Sequence, residues 1–252
     1  MKKICIYIPA YNVEKTLPIV MDRIPETLRK GCREILIIDN ASRDGTYLTA
    51  VNYKRSNRLS NMTVIKNHEN LGYGGSQKKA YRHAVEKGYD VIVMLHGDAQ
   101  YAPEKITYLL EPILKGGADM VFGSRMRGNP LQGRMPVWKL AGNRALTAIQ
   151  NLVLGTNLSE FHSGFRAYRC SSLKCLPFEL CSNDYLFDTD IIIQFVIKKM
   201  KIMEVPIPTY YGRETKSPTL LQLAKYSASI LASLFYYLLH KHGVKKIQKF
   251  SV

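Results

Sequence analysis

The chain has 252 residues, 46% of them hydrophobic, and a mean hydropathy of −0.14, which describes a folded protein with a sizeable core and excludes a disordered chain. Its 36 Lys and Arg residues against 20 Asp and Glu residues give a formal charge of +16, which favours anionic partners: phosphorylated substrates, an anionic membrane face or nucleic acid. The five cysteines are an odd number without a C-x-x-C pair, and the first apolar run is too short for a signal peptide, so we expect reduced thiols in a cytoplasmic protein.

Strand and helix patterns alternate through the first half of the chain. Apolar runs that end in polar residues predict strands at residues 4–9, 34–40, 62–67, 91–95 and 120–124. Helical patterns separate these runs. Such alternation is typical of an α/β fold with a doubly wound, Rossmann-like sheet, mostly parallel and flanked by helices.

The second half of the chain is less regular. Residues 125–136 form a loop rich in Gly, Pro and Arg, and its length predicts a mobile lid or binding loop. We predict an amphipathic helix at residues 138–154, a strand at 161–168, a helix at 185–200 and a last strand at 201–206.

The segment 219–240 is strongly apolar and near the length that spans a bilayer. Polar residues nevertheless recur in it at spacings of three or four: Gln222, Lys225, Ser229, Ser233, Tyr236 and His240. This stripe favours a helix that packs on the protein or lies in a membrane interface over a spanning helix. The basic residues after it suit an anionic membrane surface. We therefore expect one domain at residues 1–212 and a C-terminal amphipathic helix with a basic tail at residues 213–252.

The strongest local group of polar residues follows the apolar run 91–95. Asp98 and Gln100 come after this run, and in open α/β sheets ligands bind outside the carboxyl ends of the strands. Their carboxylate and amide oxygens suit Mg²⁺ or Mn²⁺ held together with phosphates, although Asp98 is equally suited to cap the helix near Pro103. Polar residues at other strand ends should meet them at the same edge: Asp39, Asn40, Asn70 and Arg125.

Other charged residues allow two interpretations each. Several arginines are suited to bidentate phosphate binding or are ordinary surface residues: Arg125, Arg127, Arg134, Arg166 and Arg169. One of Asp188 and Asp190 is either a functional carboxylate, as a general base or as a partner of an arginine, or a helix-start carboxylate stabilised by the helix dipole. His96 is either a second metal neighbour or a packing residue, and we interpret His162 as structural.

Six short motifs occur in one order along the chain: I-P-A-Y-N at 8–12, I-I-D-N-A-S-R-D-G-T at 37–46, N-L-G-Y-G-G at 70–75, H-G-D-A-Q at 96–100, G-S-R at 123–125 and H-S-G-F-R-A-Y at 162–168. Through them the chain resembles the family-2 glycosyltransferases with the GT-A fold, in the branch of dolichyl- and polyprenyl-phosphate sugar transferases. The resemblance covers residues 4–208. It implies metal-dependent, inverting transfer of a sugar from a nucleotide-diphosphate sugar to a polyprenyl phosphate of the undecaprenyl or dolichyl type. It also implies a peripheral location on the inner face of the membrane.

The resemblance implies roles for the residues that match its motifs. Donor-site residues would be Pro9, Ala10, Tyr11, Glu14, Asp39, Asn70, Gly72, Gly75 and Asp98. Asp39 would contact the base, Gly72 and Gly75 would let the backbone approach the nucleotide, and Asp98 and Gln100 would hold the metal. Residues facing the acceptor phosphate or the leaving diphosphate would be Arg125, Arg127, Arg134, Ser163 and Arg166. Catalytic residues would be Asp98, Arg125 and Arg166, with Asp188 or Asp190 as a base if the acceptor were a hydroxyl.

Two positions depart from the family's pattern. His96 stands where the first Asp of an Asp-x-Asp is common, and Asn40 stands where an acid is common. Two alternatives stay open: transfer to a sugar hydroxyl of a cell-surface polysaccharide or glycolipid, and a catalytically silent, membrane-associated relative. A nucleic-acid-binding module is disfavoured because the tyrosines are scattered and the strand ends carry acids.

Overall fold

One sheet organises the computed structural model, which describes residues 2–209 and 219–252. Its strands are β1 (Ile4–Ala10), β2 (Glu34–Asp39), β3 (Met62–Lys66), β4 (Val91–Met94), β5 (Met120–Ser124), β6 (Arg166–Arg169) and β7 (Ile202–Pro206). The helices are α1 (Leu17–Arg23), α2 (Glu26–Gly31), α3 (Thr46–Ser56), α4 (Gly72–Glu86), α5 (Ile106–Leu114), α6 (Val137–Leu154), α7 (Cys170–Lys174), α8 (Phe187–Ile197) and α9 (Leu220–Lys241).

The strand order is β3-β2-β1-β4-β6-β5-β7. β6 runs antiparallel to β4 and β5, and the other neighbouring strands are parallel, so the predicted α/β fold with a mostly parallel sheet is confirmed. The strand predicted at 161–168 is shorter than expected, since pairing begins only at Arg166. The chain passes from β1 to β2 and β3 on one side and then to β4 on the other. This reversal opens a crevice between the carboxyl ends of β1 and β4.

Both faces of the sheet are covered by apolar side chains. Ile8 of β1 packs in a layer with Val20 of α1 and residues of α5, whereas Tyr7 packs in the opposite layer with Tyr81 of α4 and Ile192 of α8. The alternation of Tyr7 and Ile8 follows from the period of two along a strand. All five cysteines are free thiols.

The C-terminal helix α9 begins at a capping box. The hydroxyl of Thr219 accepts a hydrogen bond from Gln222 N, and the Gln222 side chain accepts one from Thr219 N. The helix packs against α6 and α8. In the described ranges, no helix has the combination of length and apolar character needed to cross a membrane. The predicted domain boundary between residues 212 and 213 lies outside the described residues.

Candidate active site

Asn40 and Asn70, two of the polar residues predicted to converge at the carboxyl edge, are joined by a hydrogen bond. The Asn40 side chain donates to Asn70 Oδ1 at 2.9 Å and to the Gly72 carbonyl at 3.1 Å. Its Oδ1 accepts from Leu71 N at 3.0 Å and from Asn67 Nδ2 at 2.9 Å. Asn40 therefore ties the end of β2 to the loop before α4. An amide can do this because it both donates and accepts, whereas a carboxylate only accepts.

Asp39 is fully buried at the end of β2, and only one of its two carboxylate oxygens has a hydrogen-bond partner. Its Oδ1 accepts hydrogen bonds from the Ser42 amide, at 3.1 Å, and from the Ser42 hydroxyl. Its Oδ2 is buried and has no hydrogen-bond partner. A buried carboxylate oxygen without a donor is costly, so this atom marks a place where a ligand N–H or a water completes the site.

The wall beside Asp39 is built from the end of β1 and the turn after β2. Tyr11 is 45% exposed there, beside the half-buried Pro9 and the buried Ala10. Glu14 accepts a hydrogen bond from Gly45 N at 3.1 Å and so fixes the turn that precedes α3. The predicted nucleoside pocket residues thus border the β1–β4 crevice, and their contacts with a nucleotide stay a prediction.

Asp98 lies exposed beyond the end of β4. Its Oδ1 accepts a hydrogen bond from Gln100 N at 3.0 Å, across Ala99, whose φ is +59°. The carboxylate therefore closes a short turn of its own rather than capping α5, which begins at Ile106. Within the described residues, no group of three or more His, Cys, Asp and Glu side chains is arranged to hold a metal. Asp98 and Gln100 offer a two-residue set, which suits a cation that takes its remaining ligands from substrate phosphates and water.

His96 packs against two aromatic side chains. Its ring lies edge-on to Tyr73 and Tyr101, with Nε2 3.4 Å from the Tyr73 hydroxyl. A Cβ added at Gly164 would come within 2.5 Å of the same nitrogen. Burial lowers the pKa of His96, which favours the neutral imidazole. Of the two interpretations of His96, the structure favours the packing residue.

The glycines at the start of α4 make their close contacts with the turn before α8. Gly74 N and Gly75 N donate to the Asn183 carbonyl at 2.6 and 3.1 Å. A Cβ at Gly72, whose φ is +78°, would lie 2.5 Å from that oxygen. These glycines therefore let two backbone segments meet, and an approach of Gly72 or Gly75 to a nucleotide stays a prediction.

Arg166, whose contact with a phosphate stays a prediction, is fully buried. It donates to the carbonyls of Ser163, Phe161 and Asp188 at 2.6, 2.7 and 3.1 Å, and it lies 3.4 Å from Asp188 Oδ1. Asp188 also accepts from the Tyr73 hydroxyl at 3.0 Å. Arg166 thus fixes the backbone of the segment 161–166, because it donates hydrogen bonds to two carbonyls of that segment.

Arg125 forms a buried ion pair with Glu160. Arg125 is 6% exposed and Glu160 is fully buried, with Nη2 2.7 Å and Nε 2.9 Å from Glu160 Oε2. Asn143 of α6 donates to the same oxygen at 3.3 Å. Burial, and then the charge of Arg125, lower the pKa of Lys139, which lies one helical turn before Asn143 on α6. We call Arg125, Lys139, Asn143 and Glu160 the cationic pocket.

The segment next to the cationic pocket contains two unsatisfied polar atoms. Ser163 is fully buried, and its hydroxyl has no partner, nor does the buried Nε2 of His162. Burial, with the charges of Arg125 and Arg166, lowers the pKa of His162 to about 3, which keeps the ring neutral. A structural histidine, as predicted, fits these surroundings, and the bare hydroxyl of Ser163 is free to donate to an anion.

The other two predicted phosphate-binding arginines, Arg127 and Arg134, lie in the loop after β5 and are exposed. Arg127 Nη1 is 3.4 Å from the Glu204 carbonyl of β7. The loop packs closely on the chain after β7: a Cβ at Gly128 would lie 1.8 Å from the Ile207 carbonyl oxygen, and one at Gly133 would lie 2.1 Å from that of Thr209. The mobility predicted for this loop stays a prediction.

Lys139, Asn143 and Glu160 were not identified from the sequence as site residues. The signal was present in α6, where Lys139, Asn143 and Gln150 recur at helical spacing on one side. A polar side of a helix ordinarily faces solvent, so the sequence did not indicate that this side faces the Arg125–Glu160 pair.

Asp190 does not reach the site. It is fully buried, and its carboxylate accepts from Ser182 N at 3.0 Å, from Ser233 Oγ at 2.6 Å and from Lys249 Nζ at 2.7 Å. Residues two apart on a helix point about 200° apart, so Asp188 and Asp190 cannot face the same partner. Asp190 instead joins α8 to α9 and to the C-terminal segment.

We expect Asp190→Ala to lower the free energy of unfolding by about 3 kcal/mol, because it leaves the Lys249 ammonium without its partner. Urea unfolding measures this loss, with Asp184→Ala, an exposed residue of the preceding turn, as the matched control. The rate of the enzyme should stay within about twofold of wild type at a temperature where the variant is folded. A hundredfold loss of rate in folded protein would instead show that Asp190 takes part in catalysis, as the resemblance implies for a hydroxyl acceptor.

The chain is similar to known proteins in sequence. The Glycosyl transferase family 2 profile matches residues 5–177. The UDP-N-acetylglucosamine–dolichyl-phosphate N-acetylglucosaminyltransferase of Methanococcus voltae is 31% identical over 220 residues, covering 83% of this chain and 86% of the relative. The undecaprenyl-phosphate mannosyltransferase of Micrococcus luteus is 30% identical over 208 residues, covering 82% and 83%.

A solved structure shares the fold. Glucosyl-3-phosphoglycerate synthase of Mycobacterium tuberculosis, in complex with Mn²⁺, uridine diphosphate and phosphoglyceric acid, superposes with a TM-score of 0.68 over 94% of this chain and 78% of that chain, at 20% sequence identity. The sheet is therefore of the GT-A type, as predicted. With its doubly wound sheet, its half-satisfied Asp39 and its family match over residues 5–177, the chain is a glycosyltransferase that belongs to glycosyl transferase family 2.

Proposed function

We propose that the protein transfers a sugar from a nucleotide-diphosphate sugar to a polyprenyl phosphate at the cytoplasmic face of a membrane. The observation that carries this proposal is the buried guanidinium of Arg125, held by Glu160 directly after the carboxyl end of β5, since an arginine fork is suited to bidentate binding of a phosphate. The names of the two relatives, which specify dolichyl phosphate and undecaprenyl phosphate, support a lipid phosphate as that anion. Residues 1–212 would carry the transfer, and residues 213–252 would contribute the C-terminal helix and basic tail.

The donor would lie in the β1–β4 crevice, where Asp39 supports a nucleotide base. The unpartnered Oδ2 of Asp39 would accept an N–H of the base, and Tyr11 would lie along its exposed side. Asp98 and Gln100 would hold Mg²⁺ or Mn²⁺, which would neutralise charge that develops on the leaving diphosphate. Both residues stand at the carboxyl end of β4, so the diphosphate would lie across the crevice from Asp39.

The acceptor phosphate would be held by Arg125 and Lys139, with the Ser163 hydroxyl as a further donor. A phosphate oxygen would attack the anomeric carbon as the bond to the diphosphate breaks, and a single displacement would invert that centre. Because a phosphate monoester is already ionised near neutral pH, the residues of the pocket need only to orient it. Glu160 would keep the Arg125 fork in place.

A hydroxyl acceptor is the second candidate, and it would need a general base. Asp188 is the predicted carboxylate nearest the crevice, but Tyr73 and Arg166 already engage it. Burial nevertheless raises the pKa of Asp188, against the opposing effects of the Arg166 charge and the Tyr73 hydrogen bond. Its side chain is only 7% exposed and is already engaged, so a substrate hydroxyl has little room to reach it. The geometry therefore favours a phosphate acceptor.

The test is a direct comparison of acceptors. The enzyme is incubated with radiolabelled UDP-sugars and GDP-sugars and Mn²⁺ or Mg²⁺, and offered either a polyprenyl phosphate or the same polyprenol without phosphate. We expect labelled lipid only with the phosphate, and calorimetric binding of one of the two nucleotides. Transfer to the free polyprenol or to a glycolipid hydroxyl would favour the second candidate, and no nucleotide binding in folded protein would favour a silent relative.

A further inference from the structure

Helix α6 exposes apolar residues along its solvent side. Its protein side is mixed: Asn143 contacts Glu160, Gln150 Nε2 lies 3.4 Å from Thr189 Oγ1, and Leu140 and Leu154 are buried. Its solvent side is almost entirely apolar and is formed by exposed residues at helical spacing: Val137, Trp138, Ala141, Ala145, Ala148, Ile149 and Leu152. Leu152 is 85% exposed and Trp138 is 52% exposed. In water such a helix would normally bury this stripe.

Helix α9 packs against α6 and is apolar on its protein side, where Ile230, Leu234 and Tyr237 are buried. The predicted polar stripe does not face solvent throughout, because Ser233 is 2% exposed and donates to Asp190. Apolar side chains face solvent instead: Leu221, Ala224, Ala228, Leu231 and Phe235. Phe235 is 58% exposed, and Lys225 and Tyr236 lie along one side of the stripe. Two neighbouring helices thus both present apolar residues outward.

The charge around these stripes has one sign. Neither α6, nor α9, nor the eleven residues after α9 contain an Asp or a Glu. Exposed basic residues border the stripes: Arg144, Lys225, Lys241, Lys245 and Lys246. Lys241 and Lys245 lie 5.8 and 5.9 Å from the rings of Tyr237 and Tyr236, along α9 itself. We call the apolar stripes of α6 and α9, with these five basic residues, the docking face.

We propose that the docking face lies on an anionic lipid bilayer, with α6 and α9 in the plane of the interface. Apolar side chains ringed by Lys and Arg match the boundary between acyl chains and anionic headgroups. A second copy of the chain is a poorer occupant, because two surfaces of the same positive sign repel each other.

This surface also orients the cationic pocket, a consequence that rests on the proposed function. Asn143 of α6 contacts Glu160 of the cationic pocket, whereas Trp138 and Leu152 of the same helix face solvent. The pocket therefore lies on the protein side of α6, about one helix diameter, roughly 10 Å, from the docking face. A phosphate at the end of a membrane-anchored chain would meet Arg125 and Lys139 without leaving the headgroup region.

The position of Trp138 makes the proposal directly measurable, because it is the single tryptophan of the chain. The full chain is titrated with vesicles of phosphatidylcholine alone and with vesicles containing phosphatidylglycerol. We expect a blue shift of the emission with the anionic vesicles, quenching by lipids brominated on their acyl chains, and weaker binding in high salt. Sedimentation with the vesicles gives the affinity independently of fluorescence.

The variants Leu152→Asp and Phe235→Asp test the face itself. Each should lower the affinity for anionic vesicles by about tenfold or more, because a charge replaces an inserted apolar side chain. Leu48→Asp is the matched control, since Leu48 is 64% exposed on α3 and is not part of the docking face. Circular dichroism confirms that all three variants are folded.

Three results would overturn the proposal: no change in Trp138 emission with any vesicle, an equal loss of binding in Leu48→Asp and Leu152→Asp, or a dimer in sedimentation equilibrium that Leu152→Asp dissociates. The outcome is separable from that of the proposed function. Vesicle binding without sugar transfer would leave the docking face standing and reject the transferase proposal. Transfer to a short polyprenyl phosphate in detergent, without vesicle binding, would support the transferase proposal and reject the docking face.

Discussion

Asp98→Asn is expected to lower the rate of sugar transfer by about 10²–10³-fold while leaving the fold unchanged. The substitution removes the carboxylate of Asp98 and so weakens the binding of a divalent cation. The cation would stabilise the charge on the leaving diphosphate in the transition state by several kcal/mol. Asp98 is exposed and makes its described hydrogen bond only with Gln100 N, which the Asn oxygen can also accept, so stability should change by less than about 0.5 kcal/mol.

The measurement is steady-state transfer with saturating Mn²⁺ or Mg²⁺, beside binding of the nucleotide diphosphate by calorimetry with and without the metal. Glu104→Gln is the matched control, because this exposed carboxylate pairs with Arg23 and lies only six residues further along. We expect it to change the rate less than twofold. A near-normal rate in Asp98→Asn, or full activity of the wild type in a strong chelator, would remove the metal from the proposed mechanism.

Arg125→Met is the second change with a large expected effect, and it acts on stability and on activity together. Removal of the guanidinium leaves the fully buried Glu160 without its main partner, which should cost about 3–5 kcal/mol of unfolding free energy. Transfer to a polyprenyl phosphate should also be lost, since the cationic pocket would keep only Lys139 to balance the Glu160 carboxylate.

The double variant Arg125→Met with Glu160→Gln separates the two effects. A neutral pair in place of a buried ion pair should recover most of the stability, because the uncompensated charge is gone. The transfer rate should stay low, because the fork that holds the acceptor phosphate is still absent. Urea unfolding and the KM for the acceptor are measured for both variants. Recovery of transfer together with stability would show that Arg125 acts only as a structural residue.

The sequence predicted well those features that depend on local pattern. Apolar runs with polar ends located the parallel strands, and the position of Asp39, Asn40 and Asp98 at strand ends followed from the period of two and from the common direction of the strands. It predicted a strand that overlaps β6 but not the antiparallel place of β6 between β4 and β5, because strand order depends on crossovers that no local pattern encodes. Arg166 is the first residue of β6 and is buried because β6 lies between two other strands, so its burial could not be predicted either.

The two faces of α6 and α9 show the same limit in another form. Periodicity reveals that a helix has a polar and an apolar side, but it does not tell which side meets the protein. In each helix a polar side chain is turned inward beside buried apolar residues, Asn143 toward Glu160 and Ser233 toward Asp190, because each buried carboxylate must be satisfied.

The sequence by itself determined the α/β class, the family and the polar strand ends, because each is a property of neighbouring residues. Only the tertiary structure decided which arginines are buried, that Asp188 and Asp190 have different partners, and which side of α6 and α9 faces solvent. Those features depend on the pairing of charges across distant segments, and the cost of burying a charge without a partner is what selects them.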